Sequence, residues 1–174
     1  DSLRFAAHDK AHGVSIVFGG KVIAGTRAKK EFTKSYNAFS SINYPYIAAI
    51  QDGRIIFYID DKDRDNDPLR FYHQMNSRIF LLKLIPGMDA SILDALAPAY
   101  DGLIIESFGV GGLPDYGRKE FFSALKRWTE AGKPVCMATQ VTHEGSDMGV
   151  YQVGKIIKDL FPVLESYDMT PEAC

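Results

Sequence analysis

Residues 101–114 constrain the fold of this chain more than any other stretch, because they join a strand to a helix through a glycine-rich loop. Leu103, Ile104 and Ile105 form an apolar run without alternation, which is typical of a strand buried on both faces of a parallel sheet. Apolar residues at spacings of three and four then predict a helix over 121–128. Ligands of open α/β sheets bind at the carboxyl ends of the strands, so a ligand site is predicted at this loop.

The glycines of this loop have two interpretations. A tight strand-to-helix turn needs residues with positive φ, which glycine adopts without strain. A dinucleotide fingerprint would continue from Gly109 and Gly111 to a third glycine at position 114, which is proline. It would also need an acidic residue in the next strand, and residues 134–140 contain none. A nicotinamide cofactor is therefore not expected, and we predict no cofactor of any kind.

Composition and charge exclude several classes of protein. The chain has 174 residues, of which 46% are apolar and 24% charged, as in soluble globular proteins. Its formal charge is −2 and it has no basic stripe, so no nucleic-acid partner is expected. No apolar run approaches the ~20 residues that a membrane span needs. The two cysteines, Cys136 and Cys174, are expected to remain reduced thiols that do not pair.

The first third of the chain predicts a short helix followed by a β-hairpin. An amphipathic pattern predicts a helix over residues 1–10, which would end at the His12-Gly13 pair. Two apolar runs, 14–18 and 21–24, flank Gly19-Gly20 and predict a tight hairpin. A further short strand is predicted at 55–59.

The acidic run 60–68 marks a change in organisation. Its alternating aspartates suggest a calcium loop, but Asn66 occupies the required glycine position and Tyr72 replaces the bidentate glutamate. None of the four histidines has a partner at ligand spacing. We therefore predict no metal site and interpret residues 60–78 as a linker.

The second half of the chain alternates strands with helices, which predicts a parallel, doubly wound α/β sheet. Gly132 is expected to stop the second helix, and Gly154 to permit close approach of the third. The end of the chain, with Thr170 before Pro171, has the signature of a helix start, so we expect the sequence to be an internal piece of a longer protein. The predicted elements are strands at 79–85, 103–105 and 135–139, and helices at 89–96, at 121–128 and from Asp147 through Ile157.

Collinear motifs give the chain a family resemblance. The glycine loop, read as Glu106-Ser-Phe-Gly-Val-Gly-Gly-Leu-Pro114, is similar to the second-domain loop of bacterial type I L-asparaginases. The threonine-bearing segments that open such proteins, of the Thr-Gly-Gly-Thr-Ile and His-Gly-Thr-Asp-Thr types, are absent from the sequence. The other matching stretches are Gly25-Thr-Arg-Ala-Lys-Lys30, Thr139-Gln-Val141, Gly145-Ser-Asp-Met148, Tyr151-Gln-Val-Gly154 and Asp168-Met-Thr-Pro-Glu-Ala173.

The resemblance implies an asparaginase-like α/β architecture. Residues 1–59 would end a first, flavodoxin-like α/β domain, 60–78 would be the linker, and 79–174 would form a smaller parallel-sheet α/β domain that is truncated at its end. It also implies a cytoplasmic homodimer or tetramer whose site is shared between subunits. The threonine nucleophile would lie upstream of this sequence, and residues 1–174 alone are expected to be inactive.

The resemblance assigns a catalytic role to Lys30. In the family, the lysine of this motif belongs to a Thr-Asp-Lys arrangement, in which a buried ammonium activates the weakly nucleophilic threonine hydroxyl. Lys29 occupies a variable position and is interpreted as a surface charge. Arg27 is expected to pair with a carboxylate near the site, in either a structural or a catalytic role.

Substrate contacts are assigned to the glycine loop and to the end of the third strand. Gly111 and Gly112 match the segment that completes the pocket of a neighbouring subunit. Many family members have an asparagine where this chain has Gly112, so the preference between asparagine and glutamine is open. Glu144 and Ser146 are further candidates for polar contacts.

Two functions remain open from the sequence. The first is an amidohydrolase that converts L-asparagine, or also L-glutamine, through a threonyl acyl-enzyme with neither metal nor cofactor. The second is a non-catalytic module that binds an amino acid or a partner, or an amidotransferase subunit, on the same fold.

Overall fold

The computed structural model describes residues 1–59, 68, 70–114, 119–150 and 152–174. They form two compact units, Asp1–His73 with Ala173 and Gln74–Glu172 with Cys174. The domain bounds given above stay a prediction, because residues 60–67 and 69 of the linker lie outside the described part of the chain. Across the described helices, no segment has the length and apolar character to cross a membrane.

The first unit is built from short antiparallel strands. One sheet has the strand order β1–β2–β5–β6, and β3 pairs with β4 in a separate two-stranded sheet. A small core of Phe5, Val22, Ala48 and Ile50 lies on the larger sheet. The elements are α1 (Ser2–Ala6), β1 (Ser15–Phe18), β2 (Lys21–Ala24), a 3₁₀ turn (Gly25–Arg27), β3 (Ala28–Lys30), β4 (Phe39–Ser41), β5 (Ala48–Gln51) and β6 (Arg54–Phe57).

The predicted hairpin is confirmed. Strands β1 and β2 pair antiparallel, and Gly19 and Gly20 have φ of 56° and 73°. Two successive positive φ values define the type I′ turn, whose twist matches that of the strands. A second turn of this kind joins β5 to β6, where Asp52 and Gly53 have φ of 48° and 74°. This Asp-Gly signal is the same one that a two-residue hairpin requires.

The first helix is shorter than its sequence predicts, and the stop expected at His12-Gly13 is wrong. Helix α1 ends at Ala6 with Ala7 as its C-cap, and Phe5 is its one buried residue. Residues 6–10 are all exposed, so burial of an apolar face does not favour a longer helix.

The second unit is a parallel sheet with the strand order β7–β8–β9–β10. This confirms the α/β class, but the prediction of a doubly wound sheet is wrong, since the strand order follows the chain without reversal. Right-handed crossovers between successive neighbours put all their helices on one face. The elements are β7 (Ile79–Lys83), α2 (Ser91–Leu96), β8 (Gly102–Ser107), α3 (Glu120–Glu130), β9 (Val135–Thr139), α4 (Gln152–Leu160) and β10 (Leu164–Glu165).

One apolar core holds this unit together. Leu93 of α2, Trp128 of α3 and Ile157 of α4 share a buried cluster with Leu103 and Ile105 of β8. The indole Nε1–H of Trp128 donates to the Leu93 carbonyl at 2.9 Å, so the largest side chain of the core also satisfies its polar atom. All three helices therefore pack on the same side of β8.

The central strand is buried on one face, not on two as its unbroken apolar run predicts. Leu103 and Ile105 are 2% and 0% exposed, whereas Ile104 between them is half-buried. Ile104 lies in register with Leu81 of β7 and Cys136 of β9, and Leu81 is 47% exposed. Successive strand residues point to opposite faces, so this row belongs to the face that the helices of the described chain leave uncovered.

Gly132 stops α3 as predicted. It has φ of 72°, its N–H donates to the Thr129 carbonyl, and the N–H of Lys133 donates to the Trp128 carbonyl. These two bonds form a Schellman motif, which satisfies carbonyls that the helix end leaves without partners.

The third helix begins five residues later than predicted. Residues 148–150 form a turn, Tyr151 lies outside the described residues, and α4 begins at Gln152. The N–H of Met148 donates to Glu165 Oε1 at 2.5 Å, and the N–H of Gly149 donates to Asp147 Oδ1 at 2.9 Å. These side chains satisfy amides of the turn, and the N–H of Val150 donates to the Asp147 carbonyl at 3.2 Å.

The two cysteines lie in contact, which their positions in the sequence do not indicate, and both are free thiols. Their sulfur atoms are 3.0 Å apart and not bonded to each other. Strand β9 turns Cys136 away from the helices, and the final turn of the described chain brings Cys174 across it. The N–H of Cys174 donates to the Thr170 carbonyl at 3.2 Å, which closes a turn over residues 171–173.

The fold predicts an unusual response at Gly154. Gly154→Ala is expected to lower the free energy of unfolding by about 1–3 kcal/mol, although alanine ordinarily favours a helix over glycine. An added Cβ would lie 2.5 Å from the carbonyl oxygen of Met148, so the backbone would have to move. Denaturant unfolding measures the change. Val153→Ala, at a 38% exposed position of the same helix, is the control and should stay within ~0.5 kcal/mol. A neutral or stabilising G154A would contradict the close packing.

Candidate functional site

The candidate catalytic lysine, Lys30, lies on a short strand. Lys30 ends β3, pairs with Phe39 of β4, and is exposed. Its Nζ lies 5.9 Å from the centre of the Phe39 ring, within range of a cation–π contact. No ion pair between described residues includes Lys30. Its catalytic role stays a prediction, and its ammonium is accessible from solvent.

The burial of Lys29 and Lys30 is the reverse of what the sequence predicts, which is a buried Lys30 and an exposed Lys29. Lys29 is half-buried and pairs with Ser40, whereas Lys30 is exposed. Adjacent strand residues point to opposite faces, so the two ammonium groups cannot serve the same site.

Arg27 lies at the end of the 3₁₀ turn that precedes β3. Its guanidinium carbon is 5.4 Å from the centre of the Tyr44 ring, and its carbonyl accepts the N–H of Ile42 at 2.8 Å. These contacts fix the path of the chain into β3. Its predicted pairing with a carboxylate stays a prediction.

The glycine loop of the second unit closes on itself directly after β8. The N–H of Phe108 donates to the Gly112 carbonyl at 3.0 Å, and the N–H groups of Gly111 and Gly112 donate to the Phe108 carbonyl at 3.3 and 2.8 Å. The amides of Gly109 and Val110 donate to no acceptor within the described ranges. The loop therefore presents two adjacent N–H groups at its tip, an arrangement suited to an anionic or carbonyl oxygen.

Two of the loop glycines have conformations that other residues rarely adopt. Gly109 has φ of 53°, and a Cβ there would meet no atom within 4 Å. Gly111 has φ of 134°, and a Cβ there would lie 3.0 Å from Cγ of Met148. Gly111 is therefore required both by its backbone conformation and by its neighbour.

Side chains from the end of β9 hold this loop in place, a role that their sequence positions do not predict. The Thr139 hydroxyl donates to the Gly109 carbonyl and accepts the N–H of Val141 at 3.1 Å. Gln140 Nε2 donates to the carbonyls of Leu84 and Glu106 at 2.6 and 3.0 Å, which joins the ends of three strands. A signal for both was present, since two polar residues close an otherwise apolar strand.

A cleft of about 360 Å³ lies beside the loop. It is lined by residues 108–112 and by Gln152, Val153 and Gly154 at the start of α4. Its walls are mainly apolar, and its polar groups are the loop backbone and the Gln152 side chain. Its volume is at the lower end of the range for small-molecule sites.

The remaining candidates lie beyond β9. Glu144 is exposed with φ of 74°, and it precedes the buried Gly145, where a Cβ would overlap the Tyr167 carbonyl. Ser146 is 3% exposed, and its buried hydroxyl has no hydrogen-bond partner among the described residues. Glu144 can therefore meet a ligand from solvent, whereas Ser146 faces the interior.

Metal chemistry has no visible support in the described residues. They contain no group of three or more His, Cys, Asp or Glu side chains arranged to hold a metal ion. Most of the acidic run 60–68 lies outside the described part of the chain.

The loop geometry predicts different costs for alanine at Gly111 and at Gly109. Gly111→Ala is expected to lower the free energy of unfolding by about 1–3 kcal/mol, because alanine must leave its preferred φ and displace Met148. Gly109→Ala tests the backbone effect alone, since its left-handed conformation is more accessible and its surroundings are open; about 1 kcal/mol is expected. Thermal or denaturant unfolding gives both values. Equal losses at the two positions would show that the Met148 contact carries no cost.

Comparison with known proteins agrees with the motifs. The model of the Glutaminase/Asparaginase C-terminal domain matches residues 78–174, and that of the N-terminal asparaginase domain matches residues 1–63. The L-asparaginase of Thermococcus kodakarensis is 34% identical over 161 residues, which are 92% of this chain and 48% of that protein. A subunit of the glutamyl-tRNA(Gln) amidotransferase of Pyrococcus furiosus is 34% identical over 152 residues, 85% of this chain and 33% of that protein.

The fold agrees as well. The solved structure of the thermostable L-asparaginase from Thermococcus kodakarensis superposes with a TM-score of 0.88 at 33% identity, covering 98% of this chain and 52% of that one. The family resemblance and the asparaginase-like α/β fold are thereby confirmed. The chain spans about half the length of this relative.

Proposed function

The chain belongs to the glutaminase/asparaginase family, and we propose that the whole protein hydrolyses L-asparagine to L-aspartate and ammonia. The observation that carries the proposal is that both domain models of the family match this chain, in order. Supporting it, the L-asparaginase relative aligns over 92% of the chain. The activity belongs to the whole protein, because the chain spans 48% of that relative.

The proposed reaction uses a threonine nucleophile in the part of the family's length that this chain does not span. Its hydroxyl oxygen attacks the side-chain amide carbon, ammonia leaves with the transferred proton, and water then hydrolyses the acyl-enzyme. Lys30 would stabilise the developing alkoxide as an ammonium, or take the proton of the threonine hydroxyl if it reacts as the neutral amine. The exposed ammonium is accessible to such a hydroxyl, and Arg27 would support β3 from the adjoining turn.

The glycine loop is the proposed holder of the substrate's amino-acid group. Its free amides belong to Gly109 and Val110, so these would donate to the carboxylate, while Gly111 and Gly112 shape the loop around them. Glu144 is the proposed acceptor for the ammonium group. Neither metal nor cofactor takes part in this scheme.

Lys30→Met in the full-length protein is expected to lower kcat by on the order of 10²–10⁴ and to change KM much less. Methionine keeps most of the aliphatic stem and removes the charge that would act in the transition state. Steady-state ammonia release from L-asparagine measures both constants.

Lys29→Met is the matched control for this measurement. Lys29 is half-buried on the opposite face of the same strand, so its replacement should alter packing and stability more than turnover. Equal, mild effects of the two substitutions on kcat would show that Lys30 is a solvated surface charge without a catalytic role. A large loss confined to Lys29 would place the activating ammonium on the other face.

Gly112→Asn is expected to raise the selectivity for L-asparagine over L-glutamine by roughly 10-fold, because it supplies a side-chain amide to the substrate. The ratio of kcat/KM for the two substrates measures it. Gly112→Ala is the control, since both variants place a Cβ 3.1 Å from the Phe108 carbonyl but alanine adds no polar group. If both variants change selectivity equally, the effect comes from loop strain and position 112 makes no substrate contact.

A second function, as part of an amidotransferase, is favoured by a specific observation. Relatives named as subunits of glutamyl-tRNA(Gln) amidotransferases align over 85% of the chain at up to 34% identity. The formal charge of −2 does not indicate electrostatic attraction between this chain and a transfer RNA, which favours the hydrolase. Turnover of free L-asparagine without any RNA supports the hydrolase, and turnover only with a glutamyl-tRNA and a partner subunit supports the alternative.

The cellular setting is part of the proposal. We expect a cytoplasmic homodimer or tetramer whose glycine loop completes the site of a neighbouring subunit. Sedimentation gives the oligomeric state of the full-length protein. Once Gly111→Ala alone is found to lack turnover, mixing it with Lys30→Met protomers tests a shared site, because hybrid oligomers would regain one intact site.

A further inference from the structure

Cys136 and Cys174 form a thiol pair that the proposed hydrolysis does not use. Their Sγ atoms are 3.0 Å apart although the residues are 38 positions apart in the sequence. A disulfide needs about 2.05 Å between the sulfurs, so an approach of about 1 Å would complete one. Cys136 is half-buried on the face of β9 that the described helices leave uncovered, and Cys174 is exposed, so a small oxidant can reach the pair in the described chain.

Both sides of the pair are held by the backbone of the fold. Ser166 donates its N–H to the Met137 carbonyl at 2.9 Å, which fixes the returning chain against β9. Thr170 is 2% exposed, and its carbonyl accepts the N–H of Cys174. The sulfur contact therefore arises from two ordered segments of the described chain.

The two thiols differ in their chemistry. A hydrogen bond from the Cys136 thiol stabilises the thiolate of Cys174 and lowers the pKa of Cys174 to about 7. The same bond, together with burial and the charge of Glu165, raises the pKa of Cys136. Cys174 is therefore the more acidic of the two thiols, and it lies beside a thiol whose pKa is raised. Redox-sensitive pairs combine these features: an accessible, low-pKa cysteine and a resolving cysteine in contact.

We infer that Cys136 and Cys174 close a reversible disulfide when the protein meets a peroxide. The Cys174 thiolate attacks one peroxide oxygen and breaks the O–O bond, forming a sulfenic acid and an oxyanion that takes a proton to leave as water or an alcohol. The Cys136 sulfur then attacks the Cys174 sulfur and displaces hydroxide, which leaves as water with the proton that Cys136 releases. The two sulfurs together lose two electrons, and the peroxide gains them.

The bond would stiffen the region behind the glycine loop. The chain before Cys174 also holds the loop after β9, because Tyr167 accepts the N–H of Ser146 at 2.7 Å. Met148, which lies against Gly111, donates its N–H to Glu165 in the same stretch. A disulfide would add a covalent link between β9 and the chain segment whose hydrogen bonds support the loop. It would also reduce the conformational freedom of the unfolded state.

The test uses the full-length protein and hydrogen peroxide. Peptide mapping without reductant is expected to yield one peptide pair that joins Cys136 to Cys174, lighter by two hydrogen atoms, and dithiothreitol should release it. The oxidised protein should melt roughly 5–10 °C higher than the reduced protein.

Cys174→Ser, at an exposed position, is the control that leaves the core untouched. It should form no linked peptide and show no peroxide-dependent rise in Tm, and its Cys136 should stay reduced under the same treatment. Peroxide that drives Cys174 to a sulfinic acid, or links it only between molecules, would overturn the inference. So would a wild-type protein in which both thiols remain alkylatable after treatment.

Discussion

The parallel pairing of β8 between β7 and β9 is the constraint on which the second unit depends. Leu103 and Ile105 are almost wholly buried from one side of this strand, and all three helices pack on that side. The register that follows places Ser107 beside Thr139 at the carboxyl ends of the strands. The position of the glycine loop is therefore a consequence of core burial, because the loop begins where β8 ends.

Hydrogen bonds from side chains hold the glycine loop in one conformation at this position. Thr139 fixes the loop through the Gly109 carbonyl, Gln140 joins the ends of β7 and β8, and the Ser107 hydroxyl donates to the Ala138 carbonyl at 2.6 Å. Each bond is accepted by a backbone carbonyl at a strand end or in the loop that follows it. A loop fixed in this way meets a ligand with little loss of conformational entropy, which is how a preorganised site gains affinity.

The first unit supplies a charged group, the ammonium of Lys30. Lys30 lies at the exposed end of a three-residue strand, where water solvates its ammonium. A solvated ammonium stabilises an alkoxide weakly, and its effect grows as water is excluded. In the proposed enzyme the remaining half of the family's length therefore has two tasks, to supply the threonine and to remove water from Lys30.

The sequence by itself determined the features that depend on neighbouring residues. Positive φ at Gly19-Gly20 and Gly132, the periodicity of α3 and the strand-helix alternation are local, so they were read correctly, and the collinear motifs identified the family. The tertiary structure alone decided which face of β8 is buried, where α4 begins, that Thr139 holds the glycine loop, and that the two cysteines meet. Each of these depends on contacts between residues far apart in the chain, such as Met148 with Glu165, which no local pattern encodes.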